Sequence, residues 1–553
     1  MNKCVLGLLI LTAGCGGAST ETGTKNPPDA SSPSPGVDGA TPPNSDDGAA
    51  AIDAAPVESD AGLPPNGGGI GSCGKYLGGG PASAWVYADA TGKLAYKPLS
   101  AQGDTIMDFS SAGYMGGGVA LPTVMVQKTI GPSGGDDTAT IQAAINAVSA
   151  LPLQSGVRGA VLLKPGKYTL AGALSINASG VVLRGSGTGP TGTVITAQST
   201  ANFTLRIAGS GGTTLGASSA ITDSYVPSGA VTFTVADGSG FAKGDTVMVQ
   251  RPVTSAWITF MGMDSLNGMW IAPGTVHQWD RVVTAVNGNK ITVDAPISDS
   301  IDSKYVTGAS IAKFTYPGRI SQVGLEDIEF DCPARSATTQ FSLVRVDGVI
   351  DGWIRNVVDH NFTEGFWLGP GVKQFTVADT AVTHDPTTYI TSEAPFDYWV
   401  DGQQTLVLRS SSAGGNKIWY YATQNFTRGP NVLLNFTGTG TTTHVVGHQR
   451  WATGALVDSS SVVGGTTFGN NGTLGSGEGW SMGWGVIWNT VSDVGVMAPP
   501  GGMNWAIGNT GKELDMTMPG TYESMNTAVA IPSLYLAQLC ERLGPSAVDA
   551  IAK

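Results

Sequence analysis

The chain has 553 residues, a net charge of −13 and 13% charged residues, and glycine occupies 79 positions. Glycine is disfavoured in helices and exposed helix faces are rich in charge, so this composition excludes a long helical bundle. The acidic charge argues against a nucleic-acid-binding protein, which needs a basic surface for phosphates. A chain this long exceeds one compact core of about 100–200 residues, which leaves several domains or one elongated repeat structure.

The amino terminus is typical of a targeting segment. An apolar run over 5–11 follows Lys3 and is too short to cross a membrane, as in a secretion signal. The run ends in Thr12-Ala13-Gly14-Cys15, which resembles a bacterial lipoprotein signal, with Thr12 where that pattern usually has Leu. The resemblance implies that residues 1–14 are removed and that a lipid on Cys15 anchors an exported protein to the bacterial outer membrane or cell surface. An ordinary cleaved secretion signal is the alternative.

The next segment predicts a tether. Residues 15–70 are rich in Pro, Ser, Gly and Asp without apolar periodicity, so they cannot bury enough surface to fold. Beyond it lie Cys73, Cys332 and Cys540, among which one disulfide is possible, but their spacing does not support a metal site built from cysteines. No later run of 18 apolar residues predicts a transmembrane helix.

The remaining elements indicate an all-β solenoid. A helix is predicted first, with capping oxygens at 136–138 and apolar residues on one face from Ile141 to Leu151. Short strands separated by Gly or Asn follow, and from 325 to 489 strand cores recur about every 26 residues. Such a step, with turns and no helices, is typical of a solenoid. A pair of large β-sandwiches is the alternative, but sandwiches lack this longer step.

One run resembles a known fold family. The segment from Gly134 to Gly187 contains GGDDTATIQAAINAV and GAVLLKPGKYTLAGALSINASGVVLRGSG. It resembles the opening of the pectate-lyase-like, single-stranded, right-handed parallel β-helix superfamily, which includes polysaccharide lyases, some glycoside hydrolases and phage tailspikes. The resemblance implies a parallel β-helix over 131–515, closed at its open end by the helix near residue 140. Such a cap protects the terminal rung from pairing with another chain.

Three further segments accompany the predicted coil. Residues 71–130 are expected to pack along it, and 240–305 to form an inserted β-subdomain. Asn287-Gly288 between Val-rich flanks predicts a hairpin in that insertion. The tail, 516–553, contains an amphipathic stretch around Leu536 and Leu539, which predicts a helix that docks on the coil.

Stacked turns would bring residues one step apart in sequence into a column on the surface, because adjacent strands lie about 4.8 Å apart. Such a column spans about 20 Å over four rung spacings, which is enough for several sugars. Its predicted members are Asp397-Tyr398, Tyr420-Tyr421, His448-Gln449-Arg450-Trp451, Glu478-Gly479-Trp480 and Asn504-Trp505.

His448 and Arg450 carry the chemistry in this prediction. They lie two residues apart and share a face if the segment is a strand. A histidine can act as a general base near neutral pH, and an arginine can hold a carboxylate with two hydrogen bonds. β-Elimination from a uronic acid needs both tasks, so we predict His448 as the base and Arg450 as the carboxylate clamp. Glu478 or Tyr421 is the candidate proton donor; the alternative is a surface pair that only fixes a turn.

A second resemblance concerns the same region. The segments GPNVLL, GHQRWATGALVDS, GSGEGWSMGWGVIWN and GGMNWAIGNTG resemble a subgroup of exported bacterial β-helix proteins thought to act on polysaccharides. That subgroup often has a second His next to the first, and a His at the place of Glu478. Gln449 and Glu478 stand here instead, which leaves the assignment of base and acid open.

Further side chains are predicted to contact the substrate. His360 lies about three turns before His448 and could share its groove or only close a turn. Lys417 could bind an acidic sugar or be an exposed loop lysine without that role. This set is Tyr398, Lys417, Gln449, Trp451, Trp480, Trp484, His360 and Asn504.

An acidic strand offers the only candidate for a metal. The segment LEDIEFD contains Glu326, Asp327, Glu329 and Asp331. It is either the solvated face of a strand, a Ca²⁺ site or a hydrolytic carboxylate pair. No other cofactor is predicted.

The sequence therefore predicts an exported enzyme that cleaves an acidic, uronate-containing polysaccharide by β-elimination. A glycoside hydrolase with a carboxylate pair that includes Glu478 is one alternative, and a non-catalytic glycan-binding surface lipoprotein is another. The expected partners are the polysaccharide and, through Cys15, a membrane, but no nucleic acid.

Overall fold

The computed structural model describes residues 73–198, 203–266, 269–333, 342–385, 396–414, 419–440 and 444–552. All of them belong to one compact unit, 64–553. The predicted signal, the tether, Cys15 and Lys417 lie outside the described residues.

Most described strands pair in parallel and wind into a right-handed parallel β-helix, as predicted. The coil has three faces, of which the first two form one 20-stranded sheet and the third has nine strands. The strands of the first face are Val126–Ile130, Gly159–Leu163, Val181–Arg184, Ile320–Ser321, Lys373–Ala378, Gln403–Leu408, Arg428–Leu434, Ala452–Asp458, Met482–Gly483, Val486–Trp488, Trp505–Ile507 and Thr521–Glu523. Those of the second are Gly166–Leu170, Thr193–Ala197, Ala381–His384, Ser411–Gly414, Thr437–Gly438 and Ser461–Val462. Two long strands, Gly324–Asp331 and Val349–His360, run through both faces.

The third face carries the candidate site along its outer surface. Its strands are Leu174–Ile176, Phe203–Ala208, Ser342–Asp347, Glu364–Leu368, Phe396–Val400, Trp419–Thr423, His444–Gly447, Thr466–Phe468 and Val494–Val496.

The corner between the first two faces explains the repeat in the sequence. Asp327, Asn356, Asp379, Asn435 and Asn489 occupy this corner in five turns, and Arg409 and Ser459 occupy it in the two turns between them, with φ between +42° and +58° throughout. Asn and Asp tolerate this left-handed conformation because their short polar side chains hydrogen-bond locally. The Asn356 amide, for example, donates to Asp327 Oδ1 of the turn below at 2.7 Å. One corner residue per turn therefore sets the recurring step.

The inside of the coil is a stack of apolar side chains. On the third face, Leu205, Val344, Phe366, Tyr398, Tyr421 and Val445 follow one another in register. Each is at most 2% exposed. Full burial of a side chain of this size contributes about 1.5–3 kcal/mol, so the stack stabilises the coil along its length.

Helix α1, Thr138–Ser149, covers the first turn of the coil, as predicted. Ile141, Ile145 and Val148 are at most 1% exposed and pack into the same core as the strands below. The Asp136 carboxylate accepts a hydrogen bond from the backbone N–H of Thr138 at 3.0 Å, which satisfies one donor of the first helical turn.

An antiparallel sheet interrupts the coil between Ala208 and Ile320. In spatial order its six strands are Thr214–Ala220, Ser310–Thr315, Thr246–Pro252, Val276–Asn287, Lys290–Val293 and Thr232–Thr234. Tyr225–Val226 pairs separately with Ile301–Asp302, and helix α2 spans Ser255–Phe260. The insertion thus covers a longer part of the chain than the expected 240–305. The turn of the predicted hairpin lies at Gly288-Asn289. Its apolar core includes Trp451 and Trp480 of the coil, so the insertion forms a wall beside the candidate site.

The leading segment and the tail pack together on the first face. Helices α3, Leu534–Leu543, and α4, Pro545–Ile551, share a core with coil residues and with Val86 and Phe109. A disulfide joins Cys73 to Cys540 in α3. Smaller elements complete this part and the insertion: the hairpin Val86–Ala88 with Leu94–Tyr96, and the 3₁₀ turns Gly74–Tyr76, Tyr114–Gly116 and Asp264–Leu266.

Within the described part of the chain, no helix is both long enough and apolar enough to cross a membrane.

Candidate functional site

His448 lies at the outer edge of the third face, directly after the strand His444–Gly447. The backbone N–H of His448 donates to Thr423 O of the turn below, which continues the parallel pairing by one residue. The imidazole is half-buried beside two aromatic rings, with its centroid 4.5 Å from that of Trp419 and 5.4 Å from that of Phe396. The ring is therefore held between strands and remains partly accessible.

A chain of amides holds one nitrogen of His448. Gln449 Nε2 donates to Gln424 Oε1 at 2.6 Å, and Gln424 Nε2 lies 2.7 Å from His448 Nδ1. With Gln424 as donor, the proton of the neutral imidazole sits on Nε2. Turning both amides about their terminal torsions reverses the chain and moves that proton to Nδ1. The network thus accommodates either tautomer.

Glu478 faces the other nitrogen. Its Oε1 lies 3.5 Å from His448 Nε2, and its side chain is only 10% exposed. Asn471 Nδ2 donates to Glu478 Oε2 at 2.9 Å and to the backbone oxygen of His448 at 2.6 Å. One amide thereby ties the Glu478 loop to the strand that carries His448.

Arg450 brings a positive charge to the same edge. It adopts the left-handed conformation, with φ +57°, and its backbone N–H donates to Glu478 O at 3.0 Å. The guanidinium donates to Asn425 Oδ1 at 3.0 Å and to Ser476 Oγ, both neutral acceptors. Among the described residues, no carboxylate forms an ion pair with Arg450. Its charge is available to an anion.

Aromatic rings continue along the outer surface below His448. Trp399 stacks on Trp367 with centroids 4.5 Å apart, and Phe396 lies 5.3 Å from Trp419. Both indole N–H groups donate to Asp401, at 2.9 Å from Trp367 and 3.3 Å from Trp399. Burial raises the pKa of Asp401 to about 6, although these hydrogen bonds oppose the shift. The two hydrogen bonds to Asp401 fix the orientation of both indole rings.

The tryptophans expected to contact sugar lie inside the protein instead. Trp451, Trp480 and Trp484 are 1–2% exposed. Trp451 and Trp484 donate to the two oxygens of Asp299, at 2.7 and 3.0 Å, and Trp480 donates to the backbone of the insertion at Met261. They join the insertion to the coil, because an apolar ring with one polar atom is stable when buried once that atom is hydrogen-bonded.

Three other expected site residues are also buried. Tyr398 and Tyr421 point into the coil, where they are 1% and 2% exposed, and burial raises the pKa of Tyr421. Asn504 is fully buried, and its amide donates to two backbone oxygens at 2.9 Å. The expected surface column thus combines outward and inward residues, and we leave these three out of the site.

His360 lies in a separate cluster at the end of its strand. Its Nδ1 lies 2.7 Å from Asp331 Oδ1 and its Nε2 lies 3.4 Å from Asp385 Oδ1. Burial lowers the pKa of His360, but the hydrogen bonds to both carboxylates outweigh burial and the net shift is upward. This arrangement favours an imidazolium held by two acids.

The acidic strand is divided between two roles. Glu326 is fully buried and pairs with Arg184 at 2.5 Å and Arg355 at 3.1 Å, whereas Asp331 belongs to the His360 cluster. In the described ranges, no group of three or more His, Cys, Asp or Glu side chains is arranged to hold a metal ion.

Sequence reasoning missed four residues that shape the site: Gln424, Asn471, Trp419 and Asp299. Gln424 lies 24 residues before His448, which is close to one turn, so the repeat itself was the signal that could have found it. Asp299 belongs to the insertion, and no pattern in the sequence links it to Trp451.

No protein-family model matches this chain, and no curated protein matches its sequence. Among solved structures, the chain is similar to a tailspike of Pseudomonas phage phi297, with 14% identity over 71% of this chain and 76% of that chain and a TM-score of 0.27. The A-module of an Azotobacter vinelandii mannuronan C-5 epimerase has 12% identity over 71% of this chain and 95% of that chain, with a TM-score of 0.29. A tailspike of Acinetobacter baumannii phage AP22, in complex with a capsular saccharide, has 10% identity over 71% of each chain and a TM-score of 0.26. The parallel strand pairing within this chain itself shows the β-helix. Membership of the pectate-lyase-like superfamily and the lipoprotein signal stay predictions.

Proposed function

We propose that this chain is an exported polysaccharide lyase that cleaves a uronate-containing polymer by β-elimination. The observation that carries the proposal is the convergence of a partly exposed histidine, a partly exposed carboxylate and an arginine with no ion pair among the described residues, all at one edge of the third face. His448 and Glu478 are 3.5 Å apart, and Arg450 is bonded to the backbone of Glu478.

Arg450 is the proposed clamp for the uronate carboxylate. A guanidinium binds a carboxylate through two parallel hydrogen bonds and offsets its negative charge. Neutralising that charge makes the proton on the adjacent carbon more acidic. The partners of Arg450, Asn425 and Ser476, orient the guanidinium without competing for its charge.

His448 is the proposed base. In the tautomer that donates Nδ1–H to Gln424, Nε2 carries the free lone pair, on the side of the ring where Glu478 Oε1 lies 3.5 Å away. The imidazolium that forms on proton uptake then lies beside the Glu478 carboxylate, which stabilises it. Glu478 thus takes the role of supporting the base, rather than the donor role considered from the sequence.

The bonds and charges of the step balance. His448 Nε2 removes the proton from C5 of the uronate, and the electron pair of the C5–H bond becomes the C4=C5 double bond. The C4–O bond breaks, and its electron pair stays on the leaving oxygen, which takes a proton from water. The products are an unsaturated uronate end and a new hydroxyl end.

A panel of polyuronates tests the reaction class. Lyase action should produce the ultraviolet absorbance of the unsaturated uronate together with new reducing ends. New reducing ends without that absorbance would indicate the glycoside hydrolase alternative. Binding without any product would indicate the non-catalytic glycan-binding alternative.

His448→Gln tests the base, with His444→Gln, at the start of the strand that precedes His448, as its matched control. General-base catalysis contributes about 10²–10⁴-fold, so His448→Gln should lose at least about 100-fold in kcat. His444→Gln should retain activity, because His444 touches none of the proposed groups. Equal activity of the two variants would remove His448 from this role.

Export with a lipid anchor at Cys15 is part of the same proposal. Cys15→Ser should release the protein from the membrane fraction of the producing cell while leaving its enzymatic activity unchanged. Persistent membrane association of Cys15→Ser would contradict lipidation at that residue.

A further inference from the structure

Arg450 and Trp451 are adjacent residues in the left-handed backbone conformation, with φ +57° and +59°. This conformation is uncommon for residues other than glycine, and bulky residues keep it only where the surrounding structure enforces it. Arg450 is the proposed clamp for the substrate carboxylate. The contacts that enforce this backbone therefore also decide where its guanidinium lies.

Backbone hydrogen bonds hold these two residues from both sides. The N–H of Arg450 donates to the oxygen of Glu478 at 3.0 Å. The N–H of Trp451 donates to the oxygen of Trp480 at 2.8 Å. In the turn below, the N–H of Phe426 donates to the oxygen of Arg450 at 3.1 Å. The coil thus fixes the path of the backbone at this corner, and the side chain of Trp451 adds a contact from outside the coil.

That contact comes from the insertion. The indole of Trp451 is 1% exposed, and its Nε1 donates to Asp299 Oδ2 at 2.7 Å. Its ring also lies 5.6 Å, between centroids, from that of Trp257 in helix α2. A hydrogen bond to a carboxylate is stronger than one between neutral groups. The insertion therefore anchors the side chain next to the proposed clamp.

Asp299 is itself held in place. Its side chain is 2% exposed, and Arg251 Nε lies 3.4 Å from its Oδ2. The preceding residue, Ser298, has its Oγ 2.8 Å from Thr453 Oγ1 of the coil. Thr453 lies two residues after Trp451, so one short segment of the insertion contacts the coil at two nearby positions. Asp299 is thus a fixed point for the indole rather than a mobile loop residue.

Trp484 is anchored to the same carboxylate and provides a comparison. Its Nε1 donates to Asp299 Oδ1 at 3.0 Å, it is 1% exposed, and its φ is +61°. The two indoles therefore match in acceptor, burial and backbone conformation. They differ in what lies beside them, because both chain neighbours of Trp484 are glycines, whereas Arg450 precedes Trp451.

We propose that Asp299 is a positioning residue for Arg450 and acts through Trp451. While the indole is anchored, the left-handed backbone at 450–451 is held, and the guanidinium stays at Asn425 and Ser476. Release of the indole lets this backbone relax and turns the guanidinium away from the substrate carboxylate. The inference rests on the proposed function for the role of Arg450, and it adds that the insertion helps to set the acid-binding part of the site.

Trp451→Phe tests this role, with Trp484→Phe as its matched control. Each variant removes one N–H donor from Asp299 and keeps a buried aromatic ring. A misplacement of about 1 Å can cost about 100-fold in rate, so Trp451→Phe should lose about 10–100-fold in kcat/KM on a polyuronate. Trp484→Phe should stay within about twofold of the native protein. Equal losses in the two variants would overturn the proposal.

Asp299→Asn should resemble Trp451→Phe, because it weakens the anchor itself. If this buried variant fails to fold, the two Phe variants decide.

A double variant separates positioning from general damage. An effect that acts through Arg450 disappears once Arg450 is replaced, so adding Trp451→Phe to Arg450→Gln should lower kcat/KM by no more than about twofold. Independent losses that multiply in the double variant would give Trp451 a merely structural role and would overturn the proposal.

Crystal structures of the two Phe variants give a readout that does not depend on activity. The Arg450 guanidinium should leave Asn425 and Ser476 in Trp451→Phe and should keep both contacts in Trp484→Phe. This result supports the positioning role even if no polyuronate is cleaved and the proposed function fails. An unmoved guanidinium in Trp451→Phe would overturn the positioning role, whatever the activity.

Discussion

His448 and His360 are both half-buried histidines on the outside of the same coil, but their neighbours differ. His448 lies between a neutral amide and one carboxylate at 3.5 Å, and Arg450, which forms no ion pair within the described part of the chain, lies at the same edge. His360 lies between two carboxylates, at 2.7 and 3.4 Å. The two carboxylates raise the pKa of His360 and so favour its protonated form.

The groups around each histidine decide whether it is suited to act as a base. A base needs a free lone pair and an environment that accepts the protonated form only transiently. Two acids around His360 stabilise its cation, so that histidine is suited to fastening two strands and a loop. The spacing of histidines in the sequence does not distinguish these roles, but their hydrogen-bond partners do.

Among the variants considered, removing the charge of Arg450 should have the largest effect on the His448 site. Loss of a positioned charge donor costs about 10²–10³-fold in rate, so Arg450→Gln should reduce kcat/KM on a polyuronate by that amount. Arg450→Lys keeps the charge but loses the bidentate fork, so its kcat/KM should lie between that of Arg450→Gln and that of the native protein. Steady-state kinetics measure this, and equal rates for Arg450→Gln and the native protein would rule out the clamp.

Glu478→Gln should give a smaller loss. The substitution keeps the shape of the side chain and its contact with Asn471, but removes the charge that stabilises the imidazolium. We expect a loss of roughly 10–100-fold in kcat, which is part of the about 10²–10⁴-fold supplied by a general base. The double variant of His448→Gln and Glu478→Gln checks the cause, because the loss of the Glu478 charge should cost little more once the imidazole is absent. Independent, additive losses would contradict the pairing of His448 with Glu478.

His360→Asn should act on stability, and its effect should depend on pH. The pKa of His360 is raised in the folded state above its unfolded value of about 6.5, so its contribution is complete below that pH and is lost as pH rises through the folded pKa. We expect a loss of about 0.5–1 kcal/mol near pH 5.5 and less near pH 8.5, since Asp385 is exposed. Denaturant unfolding of both proteins at the two pH values measures this. A larger loss at the higher pH would reverse the assigned sign.

Asp401→Asn should have the smallest effect and concerns the aromatic surface below His448. The folded protein raises the pKa of Asp401 to about 6 from an unfolded value of about 3.9. The folded state therefore binds more protons between these values, and stability falls as pH rises through this window. Asp401→Asn should remove that decline, visible as a change of about 1–3 °C in the pH dependence of Tm. The same decline in both proteins would place the titration elsewhere.

Much of the fold could be predicted because its signals are local. The helix α1, the hairpin around Gly288-Asn289 and the docking helix α3 each follow from a short pattern. The repeat of strand cores follows from one left-handed corner per turn, such as Asn356 and Asn435. The link between Cys73 and Cys540 did not follow, because three cysteines leave the pairing open.

The candidate site could be predicted only in part. The spacing of about one turn pointed correctly to the proximity of His448 and Glu478. It pointed equally to Tyr398 and Tyr421, which do follow one another in register but inside the coil. At turns and corners the alternation between inward and outward side chains shifts. Sequence spacing therefore predicts which turn of the coil a residue belongs to, but not whether its side chain faces the core or the solvent.

The amino-acid sequence alone is enough to predict a solenoid, because it is rich in glycine, poor in charged residues and has a repeating strand step. Periodic burial and turn residues act over a few neighbouring positions, so this signal can be read locally. Only the tertiary structure decided which repeated residues face outward, that Gln424 and Asn471 hold the proposed base and its carboxylate, and that the insertion meets Trp451 through Asp299. These contacts join positions tens to hundreds of residues apart, and their energies depend on distances and burial that no local pattern encodes.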